Sequence, residues 1–278
     1  MRLKLSILIA KLAALLSQKV LRRSGETISG RVLLALYPKA ITELSKGKKI
    51  ICVSGTNGKT STTKALVSII SKLGSVATSP SGSNLERGVA AALMNKSEFA
   101  VLEVDELHLS RVIEEAKPKA VLLLNLTRDQ LHRMHEVKRV ADRWAKSAAS
   151  APETLFIGDI DDPFVALALN SAAQSEKISF GGRKHQDGAV CPSCGKYLKW
   201  VRNNYKCACG LSNSNPDQSF ESGSAAYRNA TMANVVAKLF GAKAVAIDEK
   251  SLERSVDQVH KGVKANIRLT KNPASWSE

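Results

Sequence analysis

Aromatic side chains are scarce here: Phe, Trp and Tyr together make up 5% of 278 residues. So thin a supply argues against a surface built to stack single-stranded bases. Cysteine is scarce too, five in all, and four of them fall between Cys191 and Cys209. That excludes a disulfide framework spread along the chain; the local cluster reads as a metal site in a protein of a reducing, cytoplasmic compartment. Acidic residues number 25 against 41 Lys and Arg, a net charge of +16. Such an excess favours an anionic partner, whether phosphate, lipid head group or nucleic acid, without choosing among them. No internal repeat is found. What is plentiful is apolar: 44% of residues, enough to build the core of one large or two modest domains.

The first 47 residues read as a helical segment, broken at Ser24-Gly25 and near Tyr37-Pro38. Apolar residues run from Leu5 to Leu16 after a basic start, as in a signal peptide. Lys11 interrupts the run, no small-residue cleavage site follows, and it is too short to span a bilayer. Leu5, Leu8, Ile9, Leu12, Leu15 and Leu16 recur at helical spacing. One reading packs this stripe on the body of the protein. The other rests it on an anionic membrane surface, at the inner face, with Arg2, Lys4, Lys11, Lys19, Arg22 and Arg23 toward the head groups.

From residue 48 strands and helices alternate, which predicts an α/β fold with a parallel sheet. Strands are expected at 50–54, 99–106, 119–127, 154–159 and 177–180. The run at 119–127 is almost unbroken apolar, as in a strand covered on both faces. Helices are expected over 59–73, capped by Gly74, and over RGVAAALM, LSRVIEEA (stopped by Pro118), VKRVADRWAKSAAS and AAYRNATMANVVAKLFG. An insertion interrupts the pattern from about Gly181 to Asp217.

The stretch VSGTNGKTS joins the first strand to its helix. Gly55 and Gly58 let the backbone curl around a phosphate, and Thr56 and Asn57 lie in the same loop. Lys59 reaches terminal phosphates as a point charge, and the Thr60 hydroxyl suits a Mg2+ ligand. The common phosphate-loop pattern puts a glycine where Val53 stands. Glu103 and Asp105 end the next buried strand two residues apart, on one side of it, where a nucleotide-bound metal needs a carboxylate.

In the insertion, CPSCGKYLKW and YKCACG read as two tight turns presenting Cys191, Cys194, Cys207 and Cys209 to one tetrahedral Zn2+. Four thiolates close the site, so its role is structural. The second turn is C-x-C rather than C-x-x-C, and His185 stands nearby as a reserve ligand. Tyr197, Trp200 and Tyr205 are expected to pack this small ribbon. Cys52, inside an apolar strand, reads as a buried small hydrophobe.

These blocks resemble the Mur ligase superfamily, whose ATP loop is G-T-N-G-K-T without the earlier glycine. PSGSNLERGV, LEVDE, NLTRDQLHRMHE, GDIDDPFVA and RLTKNPASWSE resemble the MurT-type subunit of lipid II isoglutaminyl synthase, in order over nearly the whole chain. Gln130 stands where other Mur ligases carry a histidine, and the four-cysteine ribbon is a feature of the MurT type. The resemblance implies a Mur ligase central ATP-binding domain over 48–262, with the zinc ribbon inserted at about 181–217. It makes 263–278 the start of a C-terminal domain that is largely missing. It implies ATP, Mg2+ and Zn2+ as cofactors, Lys59 and Glu103 as catalytic residues, Glu103 as the magnesium-binding glutamate and Asn234 as the adenine-side asparagine. It implies ATP-dependent activation of the D-glutamate α-carboxylate of lipid II for amidation in cell-wall peptidoglycan synthesis, with a GatD-type glutamine amidotransferase as partner. The departures are the C-x-C turn and the His132, Met134 and His135 of the DQLHRMHE block. Three other readings stay open: an amino-acid-adding Mur ligase or folylpolyglutamate synthase, a zinc-ribbon NTPase that binds nucleic acid, and a nucleotide-binding scaffold without activity. The ribbon and the D-Q-L block weigh against the first, and the resemblance argues against nucleic acid as a partner.

Overall fold

The computed structural model describes residues 2–21, 26–79, 83–128, 137–247, 255–260 and 263–268. The expected breaks at Ser24-Gly25, the PSG of 80–82, the DQLHRMHE block and residues 269–278 lie outside them. Three helices come first: α1 (Arg2–Leu21), α2 (Glu26–Leu36) and α3 (Ala40–Ser45). Then β1 (Lys49–Ser54), α4 (Lys59–Ile70), β2 (Val76–Ala77), α5 (Glu86–Leu93), β3 (Phe99–Glu103), α6 (Leu109–Ala116), β4 (Ala120–Leu123) and α7 (Val137–Ala149) alternate. The alternation continues through β5 (Leu155–Asp159), α8 (Pro163–Ser171) and β6 (Gln174–Ser179). The inserted hairpin β7 (Lys199–Val201) and β8 (Asn204–Lys206) follows, then β9 (Gln218–Ser219), α9 (Ala225–Leu239) and a last hairpin, β10 (Ser255–His260) with β11 (Val263–Arg268).

Seven strands form one parallel sheet in the order β2-β3-β1-β4-β5-β6-β9. Period-two alternation sends the two sides of each strand into different cores. Ile51, Val53, Val101, Leu122 and Ile157 point to the face covered by α4 and α9, where Leu66, Ile70, Met232 and Val236 are buried. Cys52, Leu102, Val121, Leu123 and Phe156 point to the face covered by α5, α6, α7 and α8, with Val89, Val112, Trp144 and Phe164. The expectation of strands covered on both faces holds, and Cys52 is a fully buried member of one core. Each such aliphatic side chain contributes about 1.5–3 kcal/mol.

The chain leaves β1 toward β2 and β3 on one side, then returns to β4 on the other. The carboxyl end of β1 is therefore a topological switch point, the place where open α/β sheets open a crevice for ligands.

Several boundaries differ from the sequence reading. Helix α4 ends at Ile70 with Ser71 as its cap, and Gly74 lies beyond it. Strand β3 stops at Glu103 and β4 at Leu123, because the residues after them turn out to form loops of the site. The short β2 and β9 escape notice, having too few residues to show a period. The hairpin of β10 and β11 straddles the domain boundary expected at 262. Helix α2 crosses α5 at Gly30, where a Cβ would stand 1.7 Å from the Arg87 carbonyl oxygen. Helix α1 packs on α2 through Ser6, Ala10 and Ser17, which are buried. Its stripe of large aliphatics points away from the body, contrary to the first of the two readings above.

Candidate nucleotide site and cysteine ribbon

The loop after β1 carries Gly55, Thr56, Asn57 and Gly58, and α4 opens with Lys59 and Thr60. Gly58 is the N-cap residue at φ +86°, and no side chain caps the helix. That arrangement offers the first backbone N–H groups and the positive end of the helix dipole to an anion. A Cβ on Gly58 would stand 2.1 Å from Asn229 Nδ2 of α9, so α9 closes directly on the loop.

The segment after β4 holds the loop's other side. The Thr56 N–H donates to the Asn125 carbonyl (2.9 Å), and the Asn57 N–H donates to Asn125 Oδ1 (3.0 Å). Asn125 Nδ2 donates back to the Asn57 carbonyl (3.0 Å). Thr56 Oγ1 donates to the Thr127 carbonyl (3.1 Å) and accepts from the Thr127 N–H (3.0 Å). A buried backbone pinned at this many points is preorganised for its ligand.

The Lys59 ammonium lies against the Gly55 carbonyl and 3.3 Å from the Thr56 carbonyl. It also pairs with Glu106 Oε2 at 3.2 Å. The Glu106 carbonyl accepts from Trp144 Nε1 (3.0 Å), which fixes that turn. Glu103 is buried at the end of β3, level with Val53 in the neighbouring strand. Asp105 does not continue the strand as its companion: its Oδ1 accepts from the Leu107 N–H in a tight turn (3.0 Å). Of the carboxylates beyond β3, the one on Lys59 is Glu106.

Beside the loop a small cavity is lined by Asn57, Asn125, Asp159, Arg183, Arg228 and Asn229, among others. Asp159, at the end of β5, is buried. Burial, and then repulsion from Asp161, push its carboxyl up to about 7, while Arg228 pulls the other way. Asp162 caps α8, with Oδ1 accepting from the Phe164 N–H (2.8 Å) and Oδ2 from the Leu126 N–H (2.7 Å). His185 Nε2 lies 3.2 Å from Asp162 Oδ2, an ion-pair contact. His185 Nδ1 accepts from the Asp187 N–H (3.1 Å). His185 is thus a buttress of the α8 cap and no ligand of the cysteine site.

Asn234 is not brought to this cavity. Its amide is spent on Val245, donating to the carbonyl (2.8 Å) and accepting from the N–H (2.9 Å). Asn229 occupies the loop side of α9. Five residues further along a helix the direction has turned by roughly 140°, so both cannot face the loop.

Cys191, Cys194, Cys207 and Cys209 come together in the insertion, their sulfurs all within 4.8 Å of one another. Cys191 and Cys209 are 3.6 Å apart, Cys194 and Cys207 3.4 Å. Tetrahedral zinc with Zn–S bonds of about 2.3 Å needs sulfurs about 3.8 Å apart, so the donor set fits that ion. The shortened second turn also carries a donor: the Leu211 N–H is the main cause that lowers the Cys209 thiol to about 6. Tyr205 is buried against Trp200, ring centroids 5.1 Å apart, whereas Tyr197 is 82% exposed and packs nothing. The ribbon is bolted to the cavity's rear wall. Tyr205 Oη donates to the Ile160 carbonyl (2.9 Å), and Asn213 Nδ2 donates to Asp161 Oδ1 (2.9 Å).

Asn125, Glu106, Asp159 and Asn229 were not marked by the sequence reading. Asn125 was hidden in a run read as strand to 127; its signal is its place just past a buried strand beside the phosphate loop. Asn229 and Asn234 share one helix, and only the packing of α9 separates their roles.

Comparison with known proteins agrees with this geometry. The Mur ligase middle domain matches residues 53–211. The lipid II isoglutaminyl synthase (glutamine-hydrolyzing) subunit MurT of Streptococcus pneumoniae is 30% identical over 197 residues, which are 65% of this chain and 44% of that one. A pseudomurein peptide ligase type C from Methanothermus fervidus superposes with a TM-score of 0.61 at 18% identity, covering 82% of this chain and 55% of that one. MurF ligase from Thermotoga maritima, in complex with ADP, gives a TM-score of 0.54 at 18% identity over 83% and 53% of the two chains. The chain spans about half the length of the curated relatives it matches. With more than half of its residues matched by that domain, and the glycine loop 55–58 at the switch point of its sheet, this chain belongs to the Mur ligase family.

Proposed function

We propose that this chain supplies the ATP-binding half of a carboxylate–amine ligase of peptidoglycan synthesis, of the MurT type, acting on lipid II. The observation that carries it is the loop 55–60, braced by Asn125 and closed by Asn229 at the carboxyl end of β1. The cysteine ribbon and the MurT relatives support the finer assignment.

ATP with Mg2+ would supply the phosphoryl group that turns a carboxylate into an acyl phosphate, from whose carbonyl carbon an amine then displaces inorganic phosphate. On this reading Lys59 exchanges the Gly55 carbonyl and Glu106 for phosphate oxygens, and the start of α4 holds the same charge. Glu103 and Thr60 hold the magnesium. Asn57, Asn125 and Asn229 keep the loop in shape. Cys191, Cys194, Cys207 and Cys209 hold a structural zinc. The acceptor is the D-glutamate α-carboxylate of the stem peptide, and a GatD-type amidotransferase delivers the ammonia, giving D-isoglutamine.

The test has two arms. MgATP is expected to raise the melting temperature of the chain and to do nothing for Lys59→Ala. Co-expression with a glutaminase-type partner is expected to amidate lipid II, and Lys59→Ala and Glu103→Gln to abolish it. Stabilisation by MgATP without amidation would keep the nucleotide site and sink the MurT assignment; no stabilisation would sink both.

A further inference from the structure

Helix α1 holds a feature that the ligase chemistry leaves unused. Leu5, Leu8, Ile9, Leu12, Leu15 and Leu16 are between 41% and 64% exposed. At 100° per residue they fill an arc of about 120°, and Ser6, Ala10 and Ser17, opposite, are the side buried on α2. Lys4 and Lys11 border the arc on one flank and Arg2 on the other, all exposed. Residues 1–25 contain six Lys and Arg and not one Asp or Glu.

We propose that this face of α1 docks the protein on an anionic bilayer surface, lying in the plane of the head groups. Leucines and isoleucine of that size, left to water on one face, need an apolar partner. The lysine and arginine flanks select a negatively charged one. A second copy of the chain is a poor occupant: it brings +16 to meet +16, and two such helices face to face have no carboxylate between them. None of the described helices is long and apolar enough to cross a membrane, so the helix lies on the surface and does not insert across it. The proposal does not depend on the ligase reading.

The experiment is co-sedimentation of the 278-residue chain with phosphatidylcholine vesicles, with and without phosphatidylglycerol. Binding to the anionic vesicles is expected. Leu8→Gln/Leu12→Gln/Leu15→Gln should weaken it about tenfold or more, with little change in melting temperature because none of the three belongs to the buried core. Lys4→Gln/Lys11→Gln should remove the preference for phosphatidylglycerol. Binding that survives the triple leucine variant would overturn the proposal in favour of charge alone. So would failure to bind either vesicle, and so would a dimer in light scattering that the triple variant dissolves.

Discussion

Asn125 makes the two most telling side-chain bonds to the glycine loop after β1, yet it carries no charge and can do no chemistry itself. Its amide donates to and accepts from the backbone of Asn57, a substitute for one rung of a sheet. Asn125→Ala removes both of its bonds to the partly buried backbone of Asn57, a loss of about 1–3 kcal/mol. We expect a MgATP dissociation constant raised about tenfold or more by calorimetry, with the loop less ordered before binding. Affinity equal to the parent's would show that the loop holds its own shape. Gly58→Ala is expected to be worse: it forces a side chain to φ +86° and drives a methyl into Asn229. Rescue of Gly58→Ala by Asn229→Gly in part, read by the same titration, separates the collision from the backbone strain.

At the scale of elements, the strand–loop–helix unit around Gly55, Gly58 and Lys59 was legible because it is written in a contiguous hexad. The convergence of the four cysteines was legible because they fall in two short turns within residues 191–209 of the chain. Asn229 was not, since its neighbour in space is Gly58, far away in sequence, and a helix shows only its period. Glu106 was missed because the strand was read through it to residue 106; an alternating apolar pattern does not mark where a strand gives way to a turn. The insertion offers a test of how separate an element can be. Its only strands are a three-residue pair, too short to hold alone. The bonds from Tyr205 and Asn213 tie it to the body, and on the proposed reading a zinc on the four cysteines would do the rest. Purified protein is expected to hold about one zinc per chain, and Cys209→Ser to lose most of it. Chelation should expose Trp200, seen as a red shift of its fluorescence, and make 183–217 the first segment cut by protease. A zinc content unchanged in Cys209→Ser would mean that Cys209 is not a ligand.

Over the whole molecule, the parallel sheet and its two helical layers followed from strand and helix alternation, while the strand order did not, because period says nothing about which strands lie side by side. That order is what puts the end of β5 beside the phosphate loop, and with it Asp159 inside the fold. The consequence reaches global stability. Asp159 has a folded pKa raised to about 7 by burial and by Asp161, against 3.8 for the free side chain. Between those values the native state holds a proton that the unfolded chain has released. Stability therefore falls as pH rises from about 4 to about 7 and is level above, by an amount on the order of a few kcal/mol. Asp162 works the other way: its carboxyl is held low, burial being outweighed by His185 and the N–H groups of Leu126 and Phe164, so its contribution is lost only in acid below the usual carboxylate range. Urea unfolding across pH 5 to 8 should show the first slope in the parent and a flatter line in Asp159→Asn, which keeps the shape and discards the charge. The variant is expected to be the more stable protein at pH 8, with the gap narrowing toward pH 5 and closing only below about pH 4. A parent whose stability climbs over this interval, or a variant with the same slope, would place the titrating group elsewhere.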